Sequence, residues 1–158
     1  MKKMTVLIAA LFALAAPLAS FAAMEHGDHG SMDMGHAAHK GNVAHEEVVD
    51  GVKATFTVQT MKDAMKAMGM EMPAGVKETH HISVSFKDAK TGKALTEGEV
   101  KVKLQNPDKS AQEKDLKGMQ GHFGADFDMS KHGKYGVMCK SKLQDGKVRS
   151  SNFWYTVK

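Results

Sequence analysis

One cysteine, Cys139, serves a chain of 158 residues, so no internal disulfide can form and the fold has to stand on its hydrophobic core. No cysteine occupies a lipoprotein-type cleavage position either. Arginine is just as scarce: Arg149 stands alone, and the other cations are lysines interspersed with Asp and Glu. That composition excludes an Arg-rich nucleic-acid groove binder. Long apolar runs are missing after the first, Val6 to Ala16, which is itself too short to span a bilayer. Signatures of a catalytic triad, a P-loop, an HExxH zinc site or a paired-carboxylate site are also missing, and no enzymatic class is supported.

The one apolar run belongs to an export signal. Lys2 and Lys3 form its basic start, VLIAALFALAA its apolar centre, and Ser20 and Ala22 supply small residues at the −3 and −1 positions. Residues 1–22 are expected to be removed, leaving an exported, periplasmic chain with no membrane insertion after cleavage. Loss of the two lysines takes the formal net charge from +4 to +2, too mild an excess to specify a charged partner.

What the sequence does have is histidine and methionine in unusual places. MEHGDHGSMDMGHAAHK, residues 24–40, gathers four histidines and three methionines without one Leu, Ile, Val or aromatic residue. Such a segment buries too little apolar surface to offset its ordering entropy, so residues 23–46 are expected to form a disordered tail. His26/His29 and His36/His39 make two HxxH pairs, with Met32 and Met34 between them as an MxM pair. Imidazole suits Cu, Zn and Ni, whereas thioether is soft and selects Cu(I). The mixture favours copper: Cu(I) preferentially, with Cu(II) taken by the tail imidazoles.

From Val48 onward apolar and polar residues alternate, as half-buried strands do. Val52-Ala54-Phe56-Val58 is the first such run and His80-Ile82-Val84-Phe86 the second. Val100-Val102-Leu104, Phe123-Ala125-Phe127-Met129, Tyr135-Val137-Cys139 and Phe153-Tyr155-Val157 follow, with a further short strand expected around Glu113–Lys117. Asp145-Gly146 between two of these runs is a strong hairpin signal. Six or seven strands without αβ alternation predict an all-β, antiparallel two-sheet Ig-like sandwich over residues 47–158. An open barrel is the alternative. One helix of about two turns, Met61–Met68, is expected between the first two strands, capped by Thr60 with Asp63 and stopped by Gly69.

Within this domain Met68, Met70 and Met72 form an MxMxM run bounded by Gly69 and Pro73, and Cu(I) contact is favoured over packing there. Met129 is expected in the core. Strand alternation sends His80 inward and His81 outward, so the two cannot readily chelate one ion. His80 is weighed equally as a satisfied core-mouth residue and as a ligand. His122 follows Met119 by three residues in GMQGHFG and offers a His/Met pair. The expected folded-domain site draws on Met68, Met70 and Met72 with His80 or His122, the latter only if its strand start shares the same end of the sandwich. Cys139 lacks the following His and Met of a blue-copper loop and is read as a small buried hydrophobe.

The runs His81-Ile82-Ser83-Val84, Asp88 to Leu95, Gly121 to Phe127 and Gly133 to Val137 together resemble the YtkA-like family of small exported domains. That resemblance implies an Ig-like sandwich of the kind met in exported proteins linked to metal handling. The tail looks like the Met/His segments of bacterial copper-resistance proteins. The chain departs from CopC-type carriers, whose mature chain starts with a ligating His. The function expected is periplasmic copper binding, for sequestration or delivery to a copper transporter or other envelope protein. The alternative is an Ig-like assembly or interaction domain of a membrane complex, with the tail as an incidental metal buffer.

Overall fold

A computed structural model describes residues 42–158. The export signal and the tail ligands His26, His29, Met32, Met34, His36 and His39 lie outside the described residues.

The described chain is all-β apart from one short helix. Its elements are β1 (Val43–Val49), β2 (Val52–Thr60), α1 (Met61–Ala67), β3 (His80–Asp88), β4 (Ala94–Leu95) and β5 (Gly98–Gln105). They continue with β6 (Ala111–Met119), β7 (His122–Phe127), β8 (Gly133–Leu143) and β9 (Val148–Val157). Every pairing is antiparallel, in the order β1-β2-β3-β7-β6-β5-β8-β9, with β4 attached to β3. Strand β6 passes between the two layers: Ala111–Leu116 pairs with β5, and Lys117–Met119 pairs with β7.

The two ends of this order come close to meeting. His45 of β1 stacks on Phe153 of β9 at 4.8 Å. The guanidinium of Arg149 donates from Nε to the Val49 carbonyl at 3.2 Å and from Nη2 to the Asp50 carbonyl at 3.4 Å. The result is a nearly closed sandwich. Its interior is filled by the same-parity residues of each strand, among them Phe56, Ile82, Val84, Leu104, Phe127, Met129, Tyr135 and Val137. Met129 is fully buried, as its place in the alternation predicts.

Two boundaries differ from the sequence expectation. Residues Val43–Glu46, assigned to the tail, belong to β1, which pairs with β2 across the two-residue turn Asp50-Gly51. Both turn residues have positive φ, 48° and 73°, the conformation of a tight hairpin loop whose twist matches its strands. The helix therefore follows the second strand rather than the first. Its capping is as expected: the Asp63 amide donates to Thr60 Oγ1 at 3.1 Å and the Thr60 hydroxyl donates back to the Asp63 carboxylate at 2.6 Å. Gly69, at φ 67°, ends it, with Gly69 N–H bonded to Lys66 O and Met70 N–H to Met65 O, the paired bonds of a Schellman stop.

Candidate metal centre

The turn between β6 and β7 consists of Gln120 and Gly121, with φ of 43° and 86°. A two-residue loop of this kind makes the flanking residues a directly opposed cross-strand pair, and here they are Met119 and His122. Side chains so opposed leave the same face of the sheet. Met119 is 38% exposed, so its thioether is not consumed by the core.

On β7 the same face continues through Gly124 to Asp126, while Phe123 and Phe127 point into the core. Across the β3–β7 ladder Ser83 opposes Gly124 and His81 opposes Asp126. His81 is thus the β3 residue on this face, as strand alternation predicts, but it is not solvated: its exposure is only 8%. Its Nδ1 donates to the Asp126 carboxylate at 2.6 Å. An ionised carboxylate only accepts, so Nδ1 carries a proton and Nε2 faces the other way.

That direction is towards Gly124. A Cβ placed on Gly124 would lie 2.6 Å from His81 Nε2 and 3.4 Å from the terminal methyl of Met119. The imidazole nitrogen and the methionine terminus therefore share the space that any side chain at 124 would fill. The Nε2 atoms of His81 and His122 are both shielded from solvent. Gln59, opposite His81 on β2, stands on the same face. Lys114 holds the backbone of the region from the side, donating to Asp126 O at 2.6 Å and to Glu78 Oε1 at 3.2 Å.

The other sequence candidates fall elsewhere. His80 turns inward, pairs its Nδ1 with Thr79 Oγ1 at 2.9 Å, and is pushed by burial below the usual imidazole range. It lies on the opposite face of β3 from the His81 cluster. Met68, Met70 and Met72 are 50%, 50% and 41% exposed in the connection between α1 and β3. They do not cap the core, and their thioethers are open to solvent. Because β3 and β7 run antiparallel, with His80 opposite Phe127, the start of β7 lies at the far end of the ladder from the start of β3. The condition set for His122 to join the Met68–Met72 group is therefore not met. The structure groups His122 with Met119, and brings His81 towards them.

Sequence reasoning set His81 aside as outward and gave no role to Asp126 or Gly124. The signal available for His122 was the Gln-Gly dipeptide flanked by Met and His. Nothing local reveals the His81–Asp126 pair, which joins positions 45 residues apart. Among the described residues no three His, Cys, Asp or Glu side chains are grouped so as to hold an ion. A centre in this part of the chain would therefore have to use methionine.

No family model matches the chain, and no curated protein matches it. Two crystal structures are similar. One is a DUF4426 family protein from Pseudomonas aeruginosa PAO1, at 11% identity and a TM-score of 0.57, covering 72% of this chain and 96% of its own. The other is the PmoD soluble domain from Methylocystis sp. ATCC 49242, at 11% identity and a TM-score of 0.42, covering 75% of this chain and 100% of its own. The first shows a shared fold, and nothing about chemistry follows from either.

Proposed function

We propose that the protein is an exported, YtkA-like copper-binding protein that sequesters copper in the periplasm or delivers it to an envelope partner, and that it works by binding rather than catalysis. One observation carries this reading: the two-residue β6–β7 hairpin holds a thioether and an imidazole, Met119 and His122, opposite each other. The 23–46 segment holds the same two donor types in HxxH and MxM spacing. A pairing of soft sulfur with borderline nitrogen suits copper and is poorly suited to Zn(II), which takes thiolate, imidazole and carboxylate. Among the described residues no helix is long and apolar enough to cross a membrane.

The test is competition of the signal-free protein against a chromophoric Cu(I) chelator, repeated with Zn(II) and a zinc indicator. Cu(I) should be held far more tightly than Zn(II). Equal affinities, or no copper binding, would overturn the reading. A second reading, an interaction domain, is favoured by Trp154, which is 62% exposed on β9 with the Lys134 ammonium 5.9 Å from its ring centre. It gains if the intact protein retains no copper.

A further inference from the structure

We infer that the C-terminal turn of α1 carries a Cu(I) centre made only of thioethers, with Met65, Met68 and Met70 as its donors and Gly69 as the residue that folds the third back onto the other two. The inference rests on the copper reading and gives the folded domain a centre that uses no histidine.

Three observations support it. The Met65 carbonyl accepts from the Met68 amide at 3.1 Å and from the Met70 amide at 2.9 Å. The backbones of the three methionines are therefore tied at one oxygen, and their side chains start within a turn of one another. Gly69, at φ 67°, reverses the chain and returns Met70 to Met65, the two positions whose side chains commonly meet in a Schellman stop. The sulfurs are also not spent on packing: Met68 and Met70 are half-exposed, and Met65 is only partly covered. Finally, α1 buries only Ala64, yet it is capped at both ends and its Met61 amide is bonded to the Thr79 carbonyl at 2.8 Å. So short a helix does not persist on propensity alone. The caps and the tie hold in place an element that adds little to the core, and what it presents is methionine.

The sequence expectation joined Met68 and Met70 to Met72 and a histidine. The helix stop exchanges Met72 for Met65, because Met72 lies two residues beyond the turn. Three thioethers carry no charge, and soft sulfur of this kind selects Cu(I) over Zn(II) and Cu(II). Methionine is unbranched and freely rotating, so the sulfurs converge without moving the backbone. Three donors also leave Cu(I) open to attack by an incoming ligand, which a protein that passes copper on requires.

The experiment uses the full exported chain with the other donors removed by substitution (His26, His29, His36 and His39 to Gln; Met24, Met32, Met34 and Met119 to Leu). This background chain should still bind one Cu(I) in competition with a chromophoric chelator. M65L, M68L and M70L keep bulk and remove sulfur. Each should weaken Cu(I) binding by about tenfold or more, at least the cost of disturbing a group behind a ligand, with the melting temperature unchanged. M72L should cost less than M65L, and M138L, on the outer face of β8, should cost nothing. The methionine methyl resonances of residues 65, 68 and 70 should shift as Cu(I) is added. Thioether takes up no proton, so the affinity should not change between pH 7 and 5 once the chelator's own protonation is corrected for, unlike binding by imidazole.

A loss in M72L but not in M65L would overturn this donor set in favour of the linear run. Unchanged affinity in M65L, M68L and M70L, or a background chain that binds no Cu(I) when the native chain does, would overturn the centre and leave the copper reading in place. Failure of the native chain itself to bind copper would remove both.

Discussion

Cys139 lies on the inner face of β8 beside Val137, 3% exposed, and its chemistry follows from that position. Burial, reinforced by the charge of Glu47, pushes its thiol up to about 12. At pH 8 roughly one such thiol in ten thousand is a thiolate, the only reactive form. The native protein should therefore resist iodoacetamide at pH 8 and label completely once denatured. Rapid labelling of the folded protein would mean that the β8 core opens far more readily than its packing implies. The same inertness argues against Cys139 as a ligand in the proposed copper binding. His80 and His81 show the same dependence on face. One is enclosed by the core and bonded to Thr79, and the other is enclosed on the outer side by Asp126 and Gly124. Adjacent in sequence, they meet different partners because a strand sends them to opposite faces.

At the scale of elements, the β6–β7 hairpin places Met119 and His122, the pair that carries the copper reading. Gly121, at φ 86°, supplies a conformation that a β-branched residue adopts only with strain. G121V should lower stability by about 1–3 kcal/mol and also weaken Cu(I) binding, because Met119 and His122 lose their register. G133V is the comparison: Gly133 has φ 135° at the start of β8, level with the start of β6 and so at the opposite end of that strand from Met119. It should lower the melting temperature without changing Cu(I) affinity. Equal copper affinity in G121V and the parent would detach the hairpin from binding. The strands and the helix caps were legible in the sequence because they rest on local periodicity and neighbouring residues. β1 was missed because its exposed edge shows little alternation, although Asp50-Gly51 announced the turn. The outer face of β7 was half legible: Met119 and His122 are three residues apart, whereas His81, Gly124 and Asp126 are joined only by the β3–β7 register.

At the scale of the whole domain, closure combines the His45–Phe153 stack with one side chain, Arg149, reaching from β9 to the β1–β2 turn. Arg149 is 5% exposed, donates to the Val49 and Asp50 carbonyls, and holds Asp145 from Nη1 at 3.0 Å and Nη2 at 2.6 Å. A planar fork can serve four acceptors in fixed directions, which a lysine ammonium cannot. R149M should cost about 1.5–3 kcal/mol in urea unfolding, the range for hydrogen bonds to a charged group, and R149K should recover less than half of it. The Asp145 partnership adds a pH signature. Its hydrogen bond to Arg149 lowers the carboxyl from 3.8 to about 2 in the folded protein. A carboxyl with a depressed folded-state pKa binds more protons when unfolded, so its stabilising contribution is complete above about pH 4. It is lost progressively as the pH falls towards 2. Several other exposed carboxylates are lowered too, among them Asp108 and Asp128, so acid destabilisation of the native protein alone would not isolate this one. The isolating measurement is the stability difference between the native chain and D145N at each pH. It should be constant from pH 7 to 5 and shrink towards zero between pH 4 and 2, where the native Asp145 itself becomes neutral. A difference that stays constant down to pH 2 would mean that the Asp145 charge does not contribute to holding Arg149 across the closing edge.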